Sequence, residues 1–173
     1  MFLQETYAIE DCTYYHTNEV SRASRNGSTI YDNNLSVALP SKCEISFDFY
    51  STVSSGSYEH RFFLLPKSQF STGTTQPQDA LYVDQKGSNK GTAGKRENNS
   101  TVAIVSNYTC NGSTYHTVKW VRDGTSVKIY IDDELKTTQI ITWIDNYSDY
   151  CFSMMIWSST AQSKMKNAKI KAL

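Results

Sequence analysis

The chain has 173 residues and carries 17 basic and 17 acidic side chains, for a formal net charge of zero at neutral pH. That balance argues against a nucleic-acid or bulk polyanion binder, and the length suits one domain, 1–173, with a sizeable core. Twelve Tyr and three Trp amid many Ser, Thr and Asn point to an all-β protein with polar faces and populated loops.

The leading "MFLQETYAIEDC" lacks the basic region, apolar run and small-residue cleavage site of a signal peptide. No stretch approaches the roughly 20 apolar residues of a membrane span, so no membrane insertion is expected. Strand patterns then recur at short intervals: 35–39 ("LSVAL"), 43–51 ("CEISFDFYS"), 60–65 ("HRFFLL"), 80–84 ("ALYVD") and 101–107 ("TVAIVSN"). In the second of these Ile45, Phe47 and Phe49 share one face, and Glu44, Ser46, Asp48 and Tyr50 the other. The spans 70–78 and 85–100, the latter rich in Gly, Asn and Lys, read as surface loops or an irregular hairpin.

The stretch "YHTVKWVRDGTSVKIYIDDELKTT", 115–138, reads as two hairpin arms and the start of a third. Asp123-Gly124 is a strong two-residue turn signal. With that turn Arg122 opposes Thr125, Trp120 opposes Val127, and Lys119 opposes Lys128. Val118, Trp120, Val127 and Ile129 then form a core face, and Lys119, Lys128 and Tyr130 look outward. Strands follow at 136–141, 150–157 ("YCFSMMIW") and 167–173 ("NAKIKAL"), with a short turn near "ITWIDNY". Many short strands without sustained helical periodicity mean a sandwich or barrel.

Cys12, Cys43, Cys110 and Cys151 show no C-x-x-C spacing, which excludes ordinary zinc-ribbon and thioredoxin patterns. Two disulfides or scattered buried thiols both account for them.

The phrases "HTVKWVRDG", "VKIYIDDEL" and "KNAKIK", with the earlier "LSVALPSKCEISFDFYS", resemble the concanavalin A-like lectin/glucanase superfamily, especially its laminin-G-like branch. The similarity runs from about 35 to 173. The resemblance implies two packed antiparallel sheets in a jelly roll, and the branch includes adhesins, laminins, sialidases and phage tail or fibre proteins. An extracellular, cell-surface or virion setting goes with it. The second turn departs from the family pattern, with Asp133-Glu134 in place of Asp-Gly, and a longer loop is expected there.

Superfamily glucanases set acidic residues at alternate strand positions so that two carboxylates flank one glycosidic bond. Here Glu44 and Asp48 fit in part, but Ser46 stands where a helper Asp belongs. A solvated strand face is the plainer reading. No nucleophile elbow, metalloprotease helix or phosphate loop is present, and His16, His60 and His116 lie far apart. The chain is therefore read as non-catalytic.

Glycan or polysaccharide binding needs rings for sugar faces and polar groups for hydroxyls. Three places offer them: the loop Trp143, Asp145, Asn146, Tyr147, Asp149 and Tyr150; the group Tyr58, Glu59, His60 and Arg61; and the outward hairpin face Lys119, Lys128 and Tyr130. In the first, Trp143 and Ile144 also read as a plug for one end of the sandwich. For the other two, a solvated turn and a wet sheet face are the plain alternatives. Calcium is a candidate ligand through the resemblance, with Asp132, Asp133 and Glu134 or Asp145 and Asp149 as oxygen donors. The competing expectation is a structural domain that docks protein subunits of a larger assembly such as a phage tail, fibre or capsid.

Overall fold

A computed structural model describes residues 12–16, 18–22, 27–30, 38–52, 59–73, 75–87, 89–156 and 162–173. The first strands are β1 (Cys12–His16), β2 (Val20–Arg22), β3 (Gly27–Ile30), β4 (Lys42–Ser51) and β5 (Glu59–Pro66). A meander follows, β6 (Ala80–Lys86), β7 (Lys90–Glu97) and β8 (Ser100–Thr109). The chain then forms β9 (His116–Asp123), β10 (Ser126–Ile131), β11 (Glu134–Ile140), β12 (Tyr150–Ile156) and β13 (Ser163–Ala172).

These make two antiparallel sheets. One is seven-stranded, in the order β1-β13-β4-β9-β10-β11, with β2 pairing β13 further along its length. The other is six-stranded, β3-β12-β5-β6-β7-β8. Alternation explains their packing. Ile45, Phe47 and Phe49 of β4 are buried and meet Phe62, Leu64 and Phe152 of the facing sheet. The Phe47 and Phe152 rings lie 5.6 Å apart, and Phe49 and Phe62 lie 5.1 Å apart. Trp120 is fully buried, its ring 5.5 Å from that of Phe47. Each such side chain contributes about 2–3 kcal/mol through removal from water. The expected all-β, concanavalin A-like jelly-roll sandwich is the observed architecture.

The faces of the opening hairpin are as expected, but its pairing differs. Asp123 opposes Ser126, Trp120 opposes Ile129, and Lys119 opposes Tyr130. The turn is Gly124-Thr125, with Gly124 at φ 61 and Thr125 outside the positive-φ region, the pattern of a type II′ turn. A two-residue change of partner keeps every side chain on its own face, so hydrophobic sorting could not distinguish the two pairings. The next turn is not the longer loop expected. It is Asp132-Asp133, both at positive φ (50° and 63°), with Ile131 opposite Glu134.

Residues 85–100 are mostly strand. β7 crosses them and returns through Asn98-Asn99, whose φ values of 50° and 67° again make a tight turn. Strands β1, β2 and β3 are not among the strand patterns read from the sequence. Of the expected strand at 35–39, residues 38 and 39 are not in a strand and the rest lie outside the described residues. Cys43, Cys110 and Cys151 are buried free thiols, which rules out the two-disulfide alternative. Burial pushes them up to about 11, 12 and 12, respectively.

Candidate functional site

The two outward faces of the sandwich differ in access. On β5, β6 and β7 of the six-stranded sheet the outward side chains are covered: Arg61, Phe63, Tyr82, Asp84 and Arg96 are all at most 8% exposed. The segment between β5 and β6, which begins with a 3-10 turn at Lys67–Gln69, folds over them. Its Gln76 Oε1 accepts from Arg61 Nη1 and Arg96 Nη1, both at 2.7 Å. The Arg61 guanidinium sits 4.9 Å over the Tyr82 ring, and Asp84 Oδ1 accepts from the Thr92 N–H at 2.7 Å. Burial, followed by the Arg61 charge, holds the Arg96 guanidinium below its ordinary value. Beneath this segment Phe63, Phe70 and Met155 help to line a cavity of about 10 Å³, room for about one water. Over β5, β6 and β7 this face is closed.

The outward face of the seven-stranded sheet is half exposed and polar. Strand pairing arranges it in rows. One row runs Lys171, Glu44, Val121, Lys128 across β13, β4, β9 and β10. The next runs Lys169, Ser46, Lys119, Tyr130. Beyond lie Lys166, Asp48 and Thr117, then Lys164 and Tyr50. Ser46 is 5% exposed, a low point between two lysines.

Lys119, Lys128 and Tyr130 therefore share this face as expected, though the two lysines are not opposed. Lys119 Nζ lies 5.0 Å from the Tyr130 ring centre and 3.0 Å from Asp133 Oδ1. Asp133 pulls the Lys119 ammonium above its ordinary value. Lys128 lines a shallow cavity of about 240 Å³ with Lys42, Val121, Asp123 and Ser126.

A second cluster, absent from the sequence-based candidates, occupies the other end of the same face. The half-buried rings of Tyr50 and Tyr115 lie 5.2 Å apart at 42°. Lys164 Nζ stands 5.4 Å over Tyr50, and Lys166 Nζ 3.8 Å over Tyr115. The Tyr115 hydroxyl donates to Glu19, which also pairs with Lys164 at 3.0 Å. Asp48 and Asn167 lie alongside, joined at 2.7 Å. Tyr50 already falls on the outward side of "EISFDFY". The other members come from segments far apart in sequence.

The loop after β11 is a plug. Trp143 is 3% and Ile144 1% exposed, and Tyr150 is fully buried with its hydroxyl donating to the Ile144 carbonyl at 2.7 Å. Neither Trp143 nor Tyr150 presents a ring to solvent. Asp145 accepts from the buried Arg122 guanidinium. The Tyr147 hydroxyl donates to Asp79 Oδ2 at 2.5 Å and accepts from Gln69 at 2.8 Å. Asn146 and Asp149 are exposed. His60 is wholly buried between the sheets, its Nδ1 2.9 Å from Ser51 Oγ and 2.5 Å from Ser163 Oγ. Arg61 belongs to the closed face, and Tyr58 lies outside the described residues.

The carboxylates on the open face are engaged. Glu44 faces Lys169 at 3.6 Å, while Asp48 accepts from Thr117 and Asn167, both at 2.7 Å. Four strand positions separate them by about 13 Å, well beyond the 5–9.5 Å spacing of glycosidase acid pairs.

The acids proposed for calcium do not converge. Asp132 and Asp133 lie at one end of β10 and β11, and Asp145 and Asp149 follow the other end of β11. Asp132 is held by His116 and the Thr117 N–H, Asp133 by Lys119, and Asp145 by Arg122. Among the described residues no cluster of three His, Cys, Asp or Glu could hold a metal ion. This donor set does not fit calcium.

No protein-family model matches the chain, and no curated protein sequence matches it. Solved structures do. The carbohydrate recognition domain of Emp46p, potassium-bound form, superposes with a TM-score of 0.63 at 12% identity, over 91% of this chain and 88% of that one. The carbohydrate-binding module CBM66 from Bacillus subtilis gives 0.53 at 14%, over 93% and 97%. The Caenorhabditis elegans galectin LEC-6 gives 0.54 at 9%, over 89% and 96%. At such identities the likeness is one of fold, and the fold is the concanavalin A-like, galectin-like β-sandwich.

Proposed function

We propose that this protein is a non-catalytic, lectin-like module that binds carbohydrate on the outward face of its seven-stranded sheet. The observation that carries the reading is the Tyr50–Tyr115 pair. Two half-exposed rings are ringed by a carboxylate, an amide and two ammonium groups, on the broad face that is open among the described residues. Rings of this kind cover the C–H faces of sugars, and the polar rim replaces the water lost from their hydroxyls. Neighbours of the same fold that carry carbohydrate-binding names support it. So do Glu44 and Asp48, whose mutual spacing and existing partners leave no acid–base pair for hydrolysis. An extracellular, cell-surface or virion setting accompanies this reading.

A second reading is protein docking along the edge where β8 and β11 lie side by side. β8 has ten residues without a charged side chain, and Val102, Leu135 and Ile140 are 42%, 49% and 55% exposed. Two irregularities in the β7–β8 register blunt that edge, as edge strands that avoid pairing do.

A broad glycan and polysaccharide array, run with and without chelator, tests the proposal. Selective binding is expected, unchanged by chelator and weakened about tenfold or more by the double change Tyr50→Ala and Tyr115→Ala. Absence of binding across the array, or full binding by a folded double variant, would overturn it.

A further inference from the structure

Resting on that proposal, we infer that the carbohydrate is a polyanion, a glycan bearing several carboxylate or sulfate groups. The chain as a whole is neutral, but its charges are not evenly spread. Seven of its twelve lysines point outward from β4, β9, β10 and β13 of the seven-stranded sheet. Four have acidic partners: Lys42 with Asp123 at 3.5 Å, Lys119 with Asp133 at 3.0 Å, Lys164 with Glu19 at 3.0 Å, and Lys169 with Glu44 at 3.6 Å. The other three, Lys128, Lys166 and Lys171, form no ion pair with a carboxylate among the described residues.

Their positions define the ligand. Lys171 and Lys128 end the same row, three strand spacings or about 14 Å apart. Lys128 borders the cavity of about 240 Å³, a little below the ~300 Å³ of small-ligand pockets and suited to one sugar ring rather than a whole ligand. Lys166 stands at the other end of the face, stacked on Tyr115. Ammonium groups without an ion pair among the described residues, at both ends of one ring-bearing surface, fit a chain with repeated negative charge better than a single charged sugar. Lysine is a compact point charge without the bidentate fork of arginine, so carboxylate and sulfate are both accepted and the interaction is screened by salt.

The test measures binding of the whole chain to polygalacturonate, its fully methyl-esterified form, dextran sulfate, unsulfated dextran and polyglutamate, at low and high salt. Tight binding of polygalacturonate or dextran sulfate is expected, with the neutral counterparts at least tenfold weaker. Whichever of the two polyanions binds more tightly identifies the charged group. Raising the salt should weaken binding several-fold. The triple change Lys128→Gln, Lys166→Gln and Lys171→Gln, all at half-buried or exposed positions, should weaken it about tenfold. A neutral glycan bound as tightly as its charged form overturns the inference and leaves the lectin reading standing. Polyglutamate bound as tightly as polygalacturonate overturns it as a mere basic surface. If no glycan of either kind binds, the lectin reading itself fails.

Discussion

Asp132 and Thr117 are tied together twice. The Thr117 N–H donates to Asp132 Oδ1 at 2.8 Å, and the Asp132 N–H donates to the Thr117 carbonyl at 2.9 Å. The second oxygen of Asp132 accepts from His116 Nδ1 at 2.7 Å. A short polar side chain that bonds locally is what allows a non-glycine residue to hold φ at 50°. The Asp132-Asp133 turn therefore closes β10 onto β11 and at the same time fastens the start of β9.

Asp132→Asn keeps one acceptor and the tolerance for positive φ, and should cost less than about 1 kcal/mol. Asp132→Val removes both acceptors and adds a β-branched carbon in the left-handed region, for a loss of about 2–3 kcal/mol. Urea denaturation of the two variants checks the order. Equal stabilities would show that the side-chain bonds do not hold the turn.

His60 makes stability depend on acid. Burial lowers it from an unfolded value of 6.5 to about 4. The unfolded chain therefore takes up a proton first as the pH falls. Stability tied to neutral His60 is complete above about pH 6.5 and is lost on the way down to about pH 4, by roughly 3 kcal/mol in total. Unfolding free energies across that window should fall more steeply for the natural chain than for His60→Gln. Parallel curves would mean that His60 is not the titrating group.

The sheet faces were legible because period-two alternation of large apolar groups survives on β4, β9 and β10. The pairing of β9 with β10 was not, since a two-residue change preserves every face. β7 was hidden for a different reason. Its "KGTAGKRE" looks like loop, yet Gly91 and Gly94 are small because neighbouring strands press on them. The Tyr50–Tyr115 cluster was equally out of reach. Glu19 and Tyr115 are 96 positions apart, and Asp48 and Asn167 are 119 apart. Only the order of strands in the sheet brings them together.

Gly94 should be the least replaceable of the described glycines. A Cβ there would run into the backbone carbonyl of Val102 and the ring of Tyr82. Gly94→Ala should cost about 3 kcal/mol. At Gly124 a Cβ meets nothing, and only the φ of 61° opposes it, so Gly124→Ala should cost about 1 kcal/mol. Thermal melts of the two variants suffice. A Gly124→Ala protein less stable than Gly94→Ala would contradict the placement of β7 between β6 and β8.

Arg122 should matter far more than the acid it pairs with. Its guanidinium is almost wholly buried at the end of the sandwich, donating to the carbonyls of Gly124 and Leu39, each at 2.9 Å, and to Asp145. Asp145 itself is 59% exposed, so water and salt screen the pair. Asp145→Ala leaves the two carbonyl bonds in place, and water can replace the carboxylate. The expected loss is below about 1 kcal/mol. Arg122→Ala strands two half-buried carbonyls, opens a cavity under the 141–149 plug and frees the β9–β10 turn, for an expected 3–4 kcal/mol. Arg122→Met fills the space without the donors and should fall between them. Chemical denaturation of the three variants gives the ranking. If Asp145→Ala proved as damaging as Arg122→Ala, the ion pair would be the anchor of the plug and the carbonyl bonds incidental.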